Sequence, residues 1–317
     1  MTDSSDDEQP KRSAIERIAC LFSLLAILPT LLACGARWSW FLELFTHFRP
    51  QSLLVLTIAG LCLVAMKRWK LALVVVIAWS WNLYLIGPYF LPNNTAIIEG
   101  ESLRVLSVNL FGENRQFERC LTMIRQLDAD LVVCLEASQP WAENLQNLSD
   151  LYPYRYFTER QDNFGIAVLS RIPWQDVKLA EIDSPVPSVQ VTCRYSGRDF
   201  TFIGTHPPPP GRRNSPIRNR QLDDLAKLVA KIDMPTIVAG DLNTTPWSPN
   251  FQDIVATSRL VDTRKGYGIQ TTWPSWLGPL GIPIDHVLVS REFRVESCAA
   301  TTNFGSDHRG IVVDLSW

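Results

Sequence analysis

A sharp change in composition divides this chain into two parts and constrains what it can fold into. Residues 18–91 are dominated by Leu, Ala, Val, Ile and Trp and contain almost no carboxylates. Residues 101–317 mix apolar runs with regular Gly, Pro and Asn. A helix needs about 20 mostly apolar residues to cross a bilayer. The first part therefore predicts a membrane-embedded helical block, and the second predicts a water-soluble domain.

The helical block contains three successive apolar segments, Ile18–Ala36, Leu53–Met66 with its flanks, and Leu71–Leu91. The first and third reach spanning length, whereas the shorter second one could be tilted or re-entrant. A cleaved signal peptide would explain only the first segment, and a buried soluble bundle is the other alternative. We expect about three transmembrane helices within 17–91, preceded by a disordered tail (1–16) and followed by a linker (92–102).

Basic residues predict the orientation of this block. They cluster before the first segment and between the second and third, at Lys11, Arg12, Arg17, Lys67, Arg68 and Lys70. Such clusters stay on the cytoplasmic side of a membrane. Three crossings then place residues 92–317 outside the cytoplasm. If the second segment does not cross, the domain faces the cytoplasm instead.

The charge of the second part argues against a protein that coats nucleic acid. Residues 101–317 hold 22 Lys and Arg against 25 Asp and Glu, a net formal charge of −3. Non-specific nucleic-acid binding depends on neutralising phosphates and favours basic proteins. A locally basic cleft is still compatible with this balance, and Arg outnumbers Lys 18 to 4, which suits phosphate recognition. The seven cysteines form no CxxC pair, so a zinc site is not expected.

Strand-like apolar runs alternate with amphipathic helices from residue 103 onward. The predicted strands are Leu103–Leu110, Leu131–Leu135, Asn163–Ser170, Val189–Cys193, Phe200–Thr205, Thr236–Ala239, Asp285–Val289 and Ile311–Leu315. The predicted helices are Gln116–Leu127 and Arg220–Lys231. Several strands are spaced like hairpins, which favours two packed sheets flanked by helices.

Polar side chains follow the apolar runs where strands end and loops begin. They are Asn109, Glu136, His206, Asp241, Asn243, Asp285, His286, Asp307 and His308. All three histidines of the second part belong to this set, which indicates a functional site. Individually, Glu136 could lie beside a helix cap, and Asp241 with Asn243 could form a turn. His286 follows Asp285 along a strand, so its side chain should point the opposite way, in a structural role.

Seven of these segments, in order, resemble the endonuclease/exonuclease/phosphatase superfamily. They are Ser-Val-Asn-Leu (107–110), Leu-Glu (135–136), Gly-Ile-Ala-Val-Leu-Ser-Arg (165–171), Thr-His (205–206), Gly-Asp-Leu-Asn (240–243), Ile-Asp-His-Val (284–287) and Ser-Asp-His (306–308). The resemblance covers nearly all of 103–317 and is greatest to membrane-anchored bacterial members. It implies a four-layer α/β sandwich after the all-α transmembrane block, Mg²⁺- or Mn²⁺-dependent hydrolysis of phosphate esters, and a place in a bacterial inner membrane.

The resemblance also implies a metal site. Mg²⁺ takes oxygen ligands and retains several waters, so one or two carboxylates can hold it. We predict Glu136 as the main ligand, with Asn109 beside it and Asp307 contributing directly or through water. Many nuclease members carry an acidic residue two positions after the first-motif Asn, where this chain has Phe111. That difference fits a single metal ion and weakens the interpretation as a DNA-repair nuclease.

The predicted catalytic residues hold the water and the phosphate. Asp241 would orient or deprotonate the attacking water, and Asn243 would hold the phosphate or the nucleophile. His206 and His308 would donate hydrogen bonds to the phosphoryl oxygens. Asp285 would accept a hydrogen bond from His308 and favour its charged form; a plain structural turn is its alternative role.

Two further segments suggest how substrate could bind. The Arg- and Pro-rich loop 206–220 is either an anionic-substrate clamp or a solvated loop, and Thr271–Leu280 carries tryptophans that could stack on a base or enter the lipid interface. The predicted substrate-binding residues are Arg160, Asn163, Arg212, Arg213 and Trp273.

The sequence thus predicts a membrane-anchored, metal-dependent phosphoesterase that acts on a phosphodiester or phosphomonoester. Its expected partners are the lipid bilayer and a phosphate-ester substrate, with a lipid or other extracytoplasmic ester favoured. Nucleic acid is the alternative substrate. A membrane module that binds without catalysis is the alternative from another class.

Overall fold

The protein forms an N-terminal helical block followed by an α/β domain; the structure, a computed structural model, describes residues 14–92, 101–158, 160 and 162–317. The α-helices are α1 (Ala14–Cys34), α2 (Trp40–Glu43), α3 (Arg49–Ala65), α4 (Trp69–Ile86), α5 (Phe117–Leu127), α6 (Gln139–Leu145), α7 (Asn214–Val229) and α8 (Pro249–Ser258). The β-strands are β1 (Ser102–Asn109), β2 (Leu131–Leu135), β3 (Tyr154–Phe157), β4 (Ile166–Ser170), β5 (Trp174–Leu179), β6 (Ser188–Tyr195), β7 (Arg198–Thr205), β8 (Thr236–Asp241), β9 (Val261–Asp262), β10 (Asp285–Val289), β11 (Arg294–Ala300) and β12 (Ile311–Ser316). The predicted tail up to residue 13 and the predicted linker over 93–100 lie outside the described residues.

The helical block is built from α1, α3 and α4. Helices α1 and α4 are each long and apolar enough to cross a membrane. Residues Trp40–Thr46 and α3 together pass the same test but bend by 64°, as a broken span or a re-entrant loop would. Pro50 stands at the start of α3, where its missing N–H costs nothing. The described part of the chain therefore holds two candidate spans, or three if the bent pair is one.

Polar contacts near both ends of the bundle fix how its helices run. Arg68, just before α4, donates to Glu16 near the start of α1 (2.7 Å). Near the other end, Asn82 of α4 donates to the hydroxyl of Thr30 in α1 (2.8 Å) and accepts from Arg49 at the start of α3 (3.1 Å). Helices α1 and α4 therefore run in the same direction, with α3 antiparallel to both.

The domain has the four layers that the sequence predicts. One six-stranded sheet has the order β11-β12-β1-β2-β4-β3, and the other has the order β5-β6-β7-β8-β10-β9. The main core lies between the sheets and includes Val105, Val133 and Phe202. Helices α5 and α6 cover the outer face of the first sheet, and α7 and α8 cover the second.

The strands that the sequence analysis misses are β3, β5, β9 and β11, and all four are sheet edges. Edge strands pack on fewer neighbours, and the burial along β5 is largely exposed or intermediate. They therefore lack the continuous apolar run that marks a central strand. The prediction of a loop over 206–220 is wrong in its second half, because α7 begins at Asn214.

Candidate active site

Strand register brings the predicted polar residues to one end of the core between the sheets. Side chains alternate faces along a strand, and Val105 in β1, Ala239 in β8 and Val287 in β10 all face this core. By the same alternation, Asn109, Asp241 and Asp285 face it at its open end. Asp241 and Asp285 are also direct partners in the β8–β10 ladder.

Asn109 joins the two sheets through its side chain. Its Nδ2 donates to Glu136 Oε1 (3.2 Å) and to Asp241 Oδ2 (3.3 Å). The second oxygen of Glu136 accepts from the backbone N–H of Gly112 (3.0 Å). The amide of Asn109 thus lies between a carboxylate of each sheet, at the position where the sequence predicts a metal ligand.

Asp241 stands at the centre of the cluster, with 1% of its surface exposed. One carboxylate oxygen accepts from the backbone N–H of Asn243 (2.8 Å), and the other lies 3.6 Å from His206 Nε2 and 3.8 Å from His308 Nε2. Burial alone would raise the pKa of Asp241, but His206 and His308 outweigh it and lower the pKa below its ordinary value. Asp241 is therefore a carboxylate at neutral pH, fixed between two imidazoles.

His308 is held by Asp285. Its Nδ1 lies 2.9 Å from Asp285 Oδ2, and both side chains are buried. Burial alone would lower the pKa of His308, but the charge and hydrogen bond of Asp285, with the charges of Asp241 and Asp307, raise it to about 10. The imidazole is thus an imidazolium at neutral pH and can donate Nε2–H toward the cluster.

The oxygen ligands present fit a hard divalent cation. Asp241, Asp285 and His308 place one candidate ligand atom each within 4.8 Å of one another. A protonated His308 is a poor ligand, however, since metal-bound imidazole is neutral. The carboxylates of Glu136 and Asp241 are the better donor set for Mg²⁺. Asn109 directs Nδ2 toward them, and its Oδ1 accepts from the backbone N–H of Phe111 (3.0 Å), so its amide would have to turn over to offer a ligand oxygen. Asp307 also has a buried oxygen, Oδ1, without a partner among the described residues.

Three residues of this region adopt left-handed backbone conformations. The φ angles are +57° at Phe111, +55° at Glu136 and +49° at Asn243. Such angles are uncommon outside glycine and cost on the order of 1 kcal/mol or more for larger side chains. They turn the chain sharply after β1, β2 and β8. Five other non-glycine residues among those described also have positive φ, so such angles are not confined to this site, but here they direct the polar side chains that converge.

A cleft of about 860 Å³ opens over the cluster. Its walls are formed by Leu44, His47, Phe48, Glu136, Asp162, Asn163, Phe164, His206, Pro209, Pro210, Asn214, Asp241, Asn243, Trp273, Ile282, Ile284 and His308. The first three belong to the helical block, and sequence reasoning missed them. A signal was present, because Glu43 and His47 are the only acid and the only histidine within 18–91. An ionisable residue in such an apolar block is by default a candidate for function.

The predicted substrate-binding residues are only partly brought together. Asn163 and Trp273 line the cleft, and Trp273 Nε1 donates to Asp307 Oδ2 (3.2 Å). Arg160 instead pairs with Asp162, and the exposed Arg212 lines a separate cavity beside Arg37. Arg213 is exposed just before α7. None of these three arginines lines the cleft, so the geometry does not support the predicted arginine clamp.

His286 points away from the cleft, as expected from its strand position. Its Nε2 donates to the carbonyl of Thr244 (2.8 Å), and its Nδ1 accepts from Arg264 Nη1 (2.8 Å). Burial, followed by the charge of Arg264, holds its pKa well below the ordinary value. It is therefore a neutral, structural histidine that supports the loop after Asp241.

Comparison with known proteins agrees with this geometry. Residues 106–308 match the Endonuclease/Exonuclease/phosphatase family. Among solved structures, an endonuclease/exonuclease/phosphatase from Beutenbergia cavernae is 24% identical, with a TM-score of 0.54, covering 68% of this chain and 72% of its own. A family protein from Bacteroides thetaiotaomicron is 17% identical (TM-score 0.57; 69% and 99% covered). D. rerio TDP2 complexed with single strand DNA product is 14% identical (TM-score 0.56; 68% and 100% covered).

These structural likenesses, each below 25% identity, establish the fold. No curated protein matches the chain. The family match spans more than half of the sequence and includes the whole hydrogen-bonded cluster from Asn109 to His308. The chain therefore belongs to the endonuclease/exonuclease/phosphatase family, as a hydrolase that acts on phosphate ester bonds.

Proposed function

We propose that this protein is a membrane-anchored, Mg²⁺- or Mn²⁺-dependent hydrolase that cleaves a phosphate ester of a membrane lipid. The observation that carries the proposal is the composition of the cleft. Its polar floor holds Glu136, Asp241 and His308, while Leu44 and Phe48 of the helical block form part of its wall. Polar floor and apolar wall together match an amphiphilic ester.

The charge of the cleft favours a lipid over nucleic acid. No Lys or Arg is found among the described residues that line it. Proteins that bind nucleic acid derive much of their affinity from basic side chains on successive phosphates. A lipid presents one phosphate group to the polar floor and apolar chains to Leu44, Phe48 and Ile282. The cleft suits that distribution of charge.

The position of the cleft along the chain also supports a lipid substrate. Phe48 lies at the break between Trp40–Thr46 and α3. The next residue, Arg49, donates to Asn82 near the end of α4 (3.1 Å), so this wall lies beside the end of a candidate span. Gln51 Nε2 donates to the carbonyl of Leu280 (2.8 Å), which holds the 275–281 segment beside the same helix end. Trp276 in that segment is 77% exposed, as an aromatic side chain at a lipid interface would be.

The orientation that we propose follows from the two ends of the bundle. The end that contacts the domain carries two basic residues, Arg49, which is buried, and Arg37, which is paired with Asp253 of the domain. The opposite end carries Arg17, Lys67 and Lys70. Basic residues at that end would face the cytoplasm, and the domain would then lie outside it, on a multi-pass anchor in a bacterial inner membrane.

Each polar residue of the cleft floor has a separate role in the proposed reaction. Glu136 and Asn109, with Asp307 directly or through water, would hold the metal ion, which when bound neutralises charge on the phosphoryl oxygens. Asp241 orients the attacking water, a role that suits a carboxylate whose pKa is lowered better than proton abstraction does. His308 donates Nε2–H to a phosphoryl oxygen as charge develops on it.

The neighbouring side chains keep these groups in place. Asp285 fixes the orientation and the charge of His308. Asn243 Nδ2 donates to the carbonyl of Pro207 (2.9 Å), which links the loop after β8 to the residue that follows His206. Water would be excluded on the side of the cleft that Phe48 and Trp273 cover.

The test is turnover by the full-length chain in phospholipid nanodiscs. The panel contains phosphodiester and phosphomonoester lipids, a single-stranded DNA oligonucleotide and inositol phosphates, each with Mg²⁺, Mn²⁺ or EDTA. We expect metal-dependent hydrolysis of a lipid, lost in the Glu136→Ala and His308→Ala variants. Faster cleavage of the oligonucleotide would replace the lipid hypothesis with a nuclease. A folded protein that binds no metal and turns over nothing in the panel would be a non-catalytic membrane module.

A further inference from the structure

The segment between α1 and α3 inserts a buried carboxylate into the catalytic domain. Glu43, at the end of α2, is 1% exposed. A carboxylate is costly to bury unless it is paired and hydrogen-bonded. Among the described residues, the hydrogen-bond partners of its carboxylate are Arg218, Thr244 and Ser248, which all lie in the α/β domain, 175 to 205 residues further along the chain.

The main partner of Glu43 is Arg218 in α7. Arg218 Nη2 donates to Glu43 Oε2 in an ion pair whose side chains are 0% and 1% exposed. Ser248 Oγ donates to the other oxygen of Glu43 (2.6 Å), and Thr244 Oγ1 lies 3.5 Å from it. The carboxylate is thus held by one donor from α7 and two hydroxyl groups from the loop that follows Asp241.

Arg218 links Glu43 to Asn243, a residue of the candidate site. Its Nη1 donates to the backbone carbonyl of Asn243 (3.1 Å). Asn243 has a left-handed backbone and donates its N–H to Asp241. The guanidinium is planar and makes hydrogen bonds in fixed directions, so the position of Arg218 determines where this peptide lies.

Two other contacts from the helical block support the same loop. His47 Nδ1 lies 3.0 Å from Thr245 Oγ1. Tyr89 donates to Asp262 (3.0 Å), which lies 3.7 Å from Arg264. Arg264 donates a hydrogen bond to His286, and His286 donates one to the carbonyl of Thr244. Two further chains of contacts, one from His47 and one from Tyr89, therefore connect the helical block to the loop 242–248.

We propose that Glu43 is a positioning residue, which sets the geometry of Asn243 and Asp241 through Arg218 and makes the helical block part of the catalytic apparatus. The proposal rests on the phosphoesterase function proposed above. Its consequence is that the block does more than hold the domain at a membrane. The α/β domain without residue 43 would lack the charge that orders its own catalytic loop.

The experiment uses the full-length chain in nanodiscs and compares Glu43→Gln with wild type. A misplacement of about 1 Å at a catalytic group can cost on the order of 100-fold in rate, so we expect kcat to fall about 10- to 100-fold with little change in KM. Glu43→Asp should restore part of the rate. The control Arg37→Gln breaks an exposed ion pair with Asp253 at the same interface and should leave kcat unchanged.

Two further measurements separate positioning from a general loss of structure. The double variant Glu43→Gln/Arg218→Met removes both buried charges, and its kcat should be no lower than that of the worse single variant if both act through one contact. Hydrogen exchange of the peptides covering 242–248 should be at least about tenfold faster in Glu43→Gln than in wild type or Arg37→Gln.

The outcomes distinguish this inference from the proposed function. If wild type hydrolyses a lipid and Glu43→Gln keeps its full kcat, the positioning role is wrong and the function stands. The exchange measurement needs no substrate. Unchanged exchange of 242–248 in Glu43→Gln therefore overturns the inference even if no substrate is turned over.

Discussion

His308 Nδ1 lies 2.9 Å from Asp285 Oδ2, and Asp285 stands opposite Asp241 in the β8–β10 ladder. The two carboxylates thus approach one imidazole from different sides. Burial alone would lower the pKa of His308, yet these charges raise it to about 10. His308 therefore carries a positive charge throughout the neutral pH range. It can donate a hydrogen bond from Nε2 to a phosphoryl oxygen.

The Asp285→Asn substitution should move the alkaline limit of activity to lower pH. The pKa of His308 is raised above its ordinary value of 6.5, so the stabilisation from its pairing is complete below about pH 6.5 and is lost as pH rises toward 10. Activity that needs the imidazolium should follow the same range. The measurement is kcat/KM of both proteins between about pH 6 and 11 at saturating Mg²⁺.

Asp314→Asn serves as the control, because Asp314 pairs with Arg104 on β1 and β12 and not with a group of the cluster. It should leave the alkaline limit in place. If Asp285→Asn and wild type lose activity over the same pH range, the imidazolium of His308 is not the group that limits the rate.

Gly240→Ala should inactivate the enzyme because of where its Cβ would lie. A Cβ on Gly240 would fall 1.8 Å from the carbonyl oxygen of Thr205, and the φ of Gly240 is +154°. Strands β7 and β8 would have to separate at the point where His206 and Asp241 follow them. We expect kcat to fall at least about 100-fold, as for other misplaced catalytic groups, together with a lower melting temperature.

Gly211→Ala is the matched control, since an added Cβ there meets no atom within 4 Å. Turnover and thermal unfolding of both variants are measured under the same conditions. Near wild-type turnover by Gly240→Ala would mean that the two strand ends tolerate separation, and that their close approach does not set the site.

Much of the site could be predicted from sequence because its residues follow central strands. The runs before Glu136 (131–135) and Asp241 (237–240) contain no polar side chain, so each strand end is marked by the first polar side chain after it. Strand register then brings such residues together without further information. Half of the residues in the edge strand β5 are polar, so no single polar residue marks where that strand ends.

The contribution of the helical block could not be located in the same way. Glu43 and Arg218 are separated by 175 residues, and no periodicity connects the apolar helical block with a helix of the domain. Arg218 appeared to belong to an exposed basic loop because α7 begins six residues before the predicted helix. The only sequence signal was a carboxylate in an apolar block, which marks Glu43 as a candidate functional residue.

Glu136→Gln should weaken metal binding and turnover while leaving the fold intact. The oxygens of Glu136 accept hydrogen bonds from Asn109 and Gly112, and Gln keeps one acceptor but loses the charge that attracts Mg²⁺. We expect Mg²⁺ affinity to fall at least about tenfold and kcat to fall about 100-fold or more. Calorimetric titration with Mg²⁺ and turnover assays measure the two effects.

Glu143→Gln is the comparison, because Glu143 is an exposed acid on α6. It should change neither quantity, and both variants should unfold within a few degrees of wild type. Unchanged Mg²⁺ affinity in Glu136→Gln would move the metal site elsewhere, with Asp241 and Asp307 as the next carboxylates to replace.

Phe48→Ser should raise KM for long-chain lipid substrates and leave short-chain ones unaffected. Phe48 lines the cleft and is 47% exposed, so about half of its surface remains for a substrate to cover. Burying a whole Phe side chain contributes about 1.5–3 kcal/mol, and half of that corresponds to a change in KM of roughly three- to twelvefold. Phe41→Ser is the control, since Phe41 is 53% exposed in the same segment but does not line the cleft. A KM that rises equally for long- and short-chain substrates, or equally in both variants, would mean that Phe48 does not contact the acyl chains and that the apolar wall has another role.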